Sequence, residues 1–179
     1  MENNDAPSPV HIFETLTAYQ DSGALKAAIE LDLFTAIGAN GATAAELPTR
    51  CNAAERGVRI LCDYLTIVGF LNKKSERYSL TQDSALFLDK RQRAYLGTAV
   101  EFLLSPNLTD GFKDLAVAVR KGGTTLPGEG TVAPENPIWV KFAQAMVPMM
   151  MMPAELMAKL VNGDSKQKIK VLDVAAGHG

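Results

Sequence analysis

Histidine and cysteine are scarce in this chain. His11 and His178 are its only histidines, Cys51 and Cys62 its only cysteines. No Cys/His cluster has metal-ligand spacing, so no metal site is read from the sequence. Two cysteines build no disulfide framework and fit a reduced, cytoplasmic protein. An excess of positive charge is also missing. Eighteen Lys+Arg face twenty Asp+Glu, a formal charge of −2, whereas nucleic-acid binders carry a basic surplus. Long apolar runs are lacking too. The most apolar window, Ala143 to Leu160, is broken by Gln144, Pro148, Pro153, Glu155 and Lys159, so it is no membrane span. Met1 to Pro9 has neither a basic nor an apolar stretch and does not read as a signal peptide. Residues 1–10 are expected to form a disordered tail.

What is present is enough apolar material for a core: 47% hydrophobic against 21% charged residues, which excludes disorder over the whole chain. From Ile12 to about Ile37 the apolar positions recur at helical spacing, through Phe13, Leu16, Tyr19, Ala24, Ala27, Ala28, Leu31 and Phe34. Gly23 is expected to divide this stretch into two helices. Gly38 and Asn40-Gly41 end it.

The next segment is densely punctuated. Thr43-Ala-Ala-Glu46 reads as a capping box opening a short helix, with Pro48 early in it. Asn52-Ala-Ala-Glu55 reads as a second capping signal. It opens a helix whose apolar face is Val58, Leu61, Cys62, Leu65 and Val68, with Gly69 as its C′ residue. Phe70-Leu71, a polar turn from Asn72 to Arg77, and Tyr78-Ser79-Leu80 read as a hairpin. Thr81 precedes a short helix ending near Leu88. Helix, turn, helix and two-stranded wing is the winged-helix order. A DNA-binding reading would put Arg50, Arg56 and Arg59 on phosphates. Yet between Asn40 and Lys90 seven basic residues meet six acidic ones, a poor balance for neutralising phosphates.

Arg91 to Leu104 is expected to be a helix stopped by Pro106, and Asn107 to open another ending at Gly122-Gly123. Residues 121–136, rich in glycine and proline, read as a loop. Pro137 is placed as the first residue of a long helix to about Val161, kinked at Pro148 and Pro153. Its methionines, Met146, Met149 to Met152 and Met157, are flexible and polarisable. They suit either core filling or a pocket for flat aromatic ligands. The expected organisation is a winged-helix-like domain over 11–120, the loop, a linker helix over 137–165, and a further unit beginning at 166.

That last unit begins as nucleotide-binding strand–turn–helix units do. A β-branched apolar run, Ile169 to Leu172, leads to Asp173 and the small-residue turn Val174-Ala175-Ala176-Gly177-His178-Gly179. Glycine there lets the backbone approach a ligand closely. One parallel strand is not a stable unit, so the chain is expected to be the front part of a longer protein. For neither histidine does the sequence fix an acidic partner.

Three segments, Gly23 to Phe34, Thr43 to Leu88 and Val171 to Gly179, together resemble small-molecule O-methyltransferases of the plant caffeate and hydroxyindole type, in bacterial versions. The resemblance implies a mainly α fold: a winged-helix-like dimerisation domain, linker helices, and the first strand of a truncated α/β Rossmann-like methyltransferase domain. It implies methyl transfer from S-adenosylmethionine to a hydroxyl on a small aromatic acceptor, in a homodimer. Asp173, Gly177 and Gly179 match the family's cofactor motif, with Ala175 where its first glycine usually stands. Phe142 and Met146 match its Phe-x-x-x-Met acceptor pattern. Trp139 and Met150, on adjoining turns, are further acceptor candidates. The family's catalytic histidine and second acidic ribose ligand follow this motif, so no catalytic residue is assigned here.

Overall fold

One helix, α1 (Val10–Glu30), takes up the first periodic stretch. Gly23 does not divide it, contrary to expectation. A mid-helix glycine costs about 1 kcal/mol against alanine, which strong formers such as Ala24, Leu25, Lys26, Ala27 and Ala28 can carry. The break comes at Asp32, whose φ of 53° is left-handed and hands the chain to α2 (Leu33–Ile37). The computed structural model describes residues 7–124 and 138–162, together with 170, 172 and 174. It is mainly helical and divides into two compact units, Met1–Gln92 and Arg93–Gly179.

In the first unit only the end of α1 is buried, through Ala28 and Ile29, beside the fully buried Leu33, Phe34 and Ile37 of α2. A short strand β1 (Ala42–Thr43) stands where a helix start was expected. Half of the capping box is real: the Glu46 carboxylate accepts the Thr43 N–H at 2.7 Å and the Thr43 hydroxyl at 3.1 Å. These bonds close a turn, and α3 (Leu47–Cys51) starts only after it, with Pro48 in its first turn. Asn52 does not cap the following helix either. It ends α3 in the left-handed region, φ 48°, which asparagine tolerates.

Helix α4 (Glu55–Ile67) buries Val58, Cys62 and Leu65, one stripe at helical spacing. Gly69, φ 84°, ends it in a Schellman arrangement: the Phe70 N–H reaches the Leu65 carbonyl at 2.8 Å and the Gly69 N–H that of Thr66 at 3.3 Å. Strands β2 (Leu71–Lys74) and β3 (Arg77–Leu80) form the antiparallel wing, Leu71 facing Leu80. The turn is tighter than expected, because Asn72 to Lys74 join the ladder and only Ser75 and Glu76 remain outside it. β1 pairs with β3, so the sheet order is β1-β3-β2.

Polar side chains tie the wing to α4. The buried Tyr78 hydroxyl donates to Asp63 Oδ1 at 2.7 Å, and Lys73 Nζ bonds the same oxygen at 2.6 Å. The Lys73 bond holds the Asp63 carboxyl below its usual range, while burial pushes the Tyr78 phenol up. Cys51 and Cys62 are both free and buried, and burial raises the Cys62 thiol to about 12. Thr81 caps α5 (Gln82–Phe87), and the buried Ser84 hydroxyl donates to the Phe70 carbonyl at 2.7 Å.

The unit closes on a buried carboxylate, Asp89, 4% exposed. Arg91 chelates it, Nε to Oδ1 at 2.9 Å and Nη2 to Oδ2 at 2.6 Å, and this pairing holds its carboxyl below the usual range. Such a group contributes stability above the unfolded pKa of about 3.9 and loses it as pH falls through the lower folded value. Urea midpoints should therefore drop below pH 4, and Asp89→Asn should cost about 1–3 kcal/mol at pH 7 and flatten part of that slope. An unchanged slope in the variant would assign the acid sensitivity to Asp63 and Glu46, whose carboxyls are also lowered.

In the second unit, α6 (Gly97–Leu103) starts six residues later than the periodicity indicates. The helix expected from Asn107 to Gly122 is split into α7 (Pro106–Thr109), a 3₁₀ turn (Asp110–Phe112) and α8 (Leu115–Lys121). Asp110, Gly111 and Asp114 are poor helix formers, which accounts for the interruption. α9 (Ile138–Asn162) runs through Pro148 and Pro153. Each proline lacks an N–H, so the ladder is interrupted without ending the helix. Residues 125–137, including Pro137 and most of the expected loop, lie outside the described residues. The expected strand from Ile169 falls mostly outside them too, and Leu172 and Val174, which are described, are exposed and in no strand.

Candidate functional site

The four acceptor candidates share one face of α9. At 100° per residue, Trp139, Phe142, Met146 and Met150 fall within roughly 80° of arc. Trp139 and Phe142 are in contact, ring centroids 5.9 Å apart at 88°. Phe142 also meets Phe102 of α6, 5.8 Å away at 65°. Both contacts are edge-to-face, the favoured geometry for aromatic pairs. Trp139 and Phe142 remain 43% and 41% exposed, so this aromatic face is open to a ligand. Met146 is half-buried and Met150 exposed on the same side. Phe102 carries no distinguishing sequence signal. It stands in a plain apolar run, Val100 to Leu104, and only the packing of α6 on α9 singles it out.

Beside Phe102 the two helices flank an open groove of about 270 Å³. From the α6 side it is lined by Thr98, Glu101, Phe102 and Ser105. α9 supplies Ile138, Lys141, Gln144 and Ala145. Thr98, Glu101 and Phe102 stand at i, i+3 and i+4 on one face of α6, and Ser105 lies just past its end. The lining combines an aromatic and an aliphatic wall with one carboxylate, one ammonium, two hydroxyls and an amide. That is the composition of a site that holds a flat apolar body and orients it by a few polar contacts.

The cofactor candidates Asp173, Ala175, Gly177 and Gly179 lie outside the described residues. The cations that a DNA-binding reading requires are partly committed within the chain. Arg50 Nη1 donates to the Ala36 carbonyl at 2.8 Å, and Arg59 pairs with Asp63 at 3.4 Å. Among the described residues no group of three His, Cys, Asp or Glu could hold a metal ion, and no helix is long and apolar enough to cross a membrane.

Comparison with known proteins shows what the first unit resembles. Residues 13–90 match the family model of the O-methyltransferase dimerisation domain, a span lying within Met1–Gln92. Residues 13–90 are thus similar to an O-methyltransferase dimerisation domain. The likeness extends past this domain into the unit that carries the aromatic face. A crystal structure of a Nostoc punctiforme protein described as an O-methyltransferase is 54% identical, with a TM-score of 0.82 over 89% of this chain and 48% of that one. The tetracenomycin polyketide synthesis 8-O-methyltransferase of Streptomyces glaucescens is 31% identical over 123 residues, 68% of this chain and 36% of that protein. Human N-acetylserotonin methyltransferase, solved in complex with SAM, shares the fold with a TM-score of 0.67 at 17% identity. The chain thus spans half or less of the length of these relatives.

Proposed function

We propose that this chain is the dimer-forming, acceptor-side part of an S-adenosylmethionine-dependent O-methyltransferase acting on a small aromatic hydroxyl compound in the cytosol. The observation that carries the reading is the aromatic face of Trp139, Phe142 and Phe102, in a chain whose first unit is similar to an O-methyltransferase dimerisation domain. S-adenosylmethionine, when bound, supplies an electrophilic methyl group. The residues of this chain act on the acceptor: the ring edges of Trp139 and Phe142 fix its plane, and Met146 and Met150 adapt to its outline. Holding the hydroxyl oxygen in line for attack is worth several kcal/mol of barrier by itself. The motif from Asp173 to Gly179 is assigned to the cofactor on its sequence pattern, and the winged-helix-like order of α3, α4 and the wing to the dimer scaffold.

The test is methyl transfer by the protein expressed from its native gene. Label should pass from methyl-labelled S-adenosylmethionine to the oxygen of a phenolic acceptor, and Phe142→Ala should raise KM while leaving the oligomeric state and helicity of the protein unchanged. Failure to methylate any of a panel of mono- and polycyclic phenols, with the cofactor shown to bind, would overturn the acceptor class.

A further inference from the structure

The groove beside Phe102 is separate from the α9 face proposed above, and it is chemically two-sided. Glu101 stands on α6 and Lys141 on α9, and both line it together with Phe102 and Ile138. Among the described residues neither charge has an ion-pair or hydrogen-bond partner, whereas Arg59, Lys73, Arg77, Lys90 and Arg91 are all committed. A carboxylate accepts a hydrogen bond from a hydroxyl; an ammonium donates one to a carbonyl. An aromatic wall in the same lining favours a flat ring.

Resting on the acceptor reading above, we propose that the α6–α9 groove is a specificity subsite for hydroxyaryl carbonyl compounds. The ring packs against Phe102. A hydroxyl at one edge donates to Glu101 and a carbonyl at the opposite edge accepts from Lys141. At about 270 Å³ the groove takes one or two fused rings rather than a larger polycycle, whose remaining rings would extend past Phe102 toward Phe142 and Trp139.

Trp139 is the only tryptophan of the chain and meets Phe142 edge-to-face, so its fluorescence reports on this region without a label. The 179-residue chain is titrated with 6-hydroxy-2-acetonaphthone, 2-naphthol and 2-acetonaphthone, and the affinities are checked by calorimetry. The bifunctional compound should bind at least ten-fold tighter than either of the others. Glu101→Gln should erase its advantage over 2-acetonaphthone, and Lys141→Gln its advantage over 2-naphthol. Both side chains are exposed, so neither change should alter the circular dichroism. Equal affinity for the three compounds, or affinities unmoved in both variants, would overturn the subsite. The titration contains no S-adenosylmethionine, so its failure is distinct from a failure to transfer methyl groups.

Discussion

The double substitution Phe13→Asp, Leu16→Asp should halve the mass of the particle in solution. The first half of α1 carries Ile12, Phe13, Leu16 and Tyr19, and all four are more than 60% exposed. Burying one large apolar side chain is worth about 1.5–3 kcal/mol. In a two-fold dimer each of these residues is buried twice, once per copy. Two carboxylates per helix reverse that gain and add repulsion across the axis. Every 1.4 kcal/mol is tenfold in affinity, so dissociation should rise by several orders of magnitude. Light scattering at micromolar concentration should give twice 19.2 kDa for the parent chain and 19.2 kDa for the variant. The four positions touch no core, so helicity should stay as it is. A variant that remains dimeric would move the interface off this face.

The same face shows what periodicity can and cannot reveal. The spacing of Phe13, Leu16, Ala24, Ala28 and Phe34 was legible as helix, but not the place where burial starts. Ala28 is covered by its own unit and Leu16 is not, although both belong to one apolar pattern. A sequence marks a side chain as apolar without naming what covers it. The expected break at Gly23 fails for a related reason. Glycine permits a turn and does not demand one, and the chain turned at Asp32, a residue with no turn signal around it. Val58, Cys62, Leu65 and Gly69 were legible because local chemistry alone decides them: an apolar stripe, then a left-handed residue.

β1 was hidden for the opposite reason. Two residues, Ala42 and Thr43, have no periodicity to read, and their strand exists only because Arg77 and Tyr78 lie alongside. The aromatic site divides in the same way. Trp139, Phe142, Met146 and Met150 could be placed on one face from spacing, since they belong to one helix. Phe102, Glu101 and Lys141 come together only once α6 packs on α9, and no rule of spacing links positions about forty residues apart in the chain.

Gly41→Ala should be the most damaging of the small substitutions, and it tests the hidden strand directly. Gly41 has a φ of 67°, where a side chain costs about 1–2 kcal/mol. A Cβ there would also stand 2.5 Å from the Tyr78 carbonyl oxygen and 3.3 Å from Arg77 Cγ. The carbonyl belongs to β3, so the strand must shift to make room, at a further cost of about 1–3 kcal/mol. The sum, about 2–5 kcal/mol, would lower the melting temperature of the first unit by roughly 10 °C or more, at roughly 4–8 °C per kcal/mol for a domain of this size. Gly57→Ala is the matched control. Gly57 lies inside α4 with nothing within 4 Å of its added Cβ, so alanine there should stabilise by about 0.5–1 kcal/mol. Opposite signs from the same chemical change would show that backbone conformation and the β1–β3 approach set the cost. Equal effects would mean that β1 does not lie against Tyr78 as described.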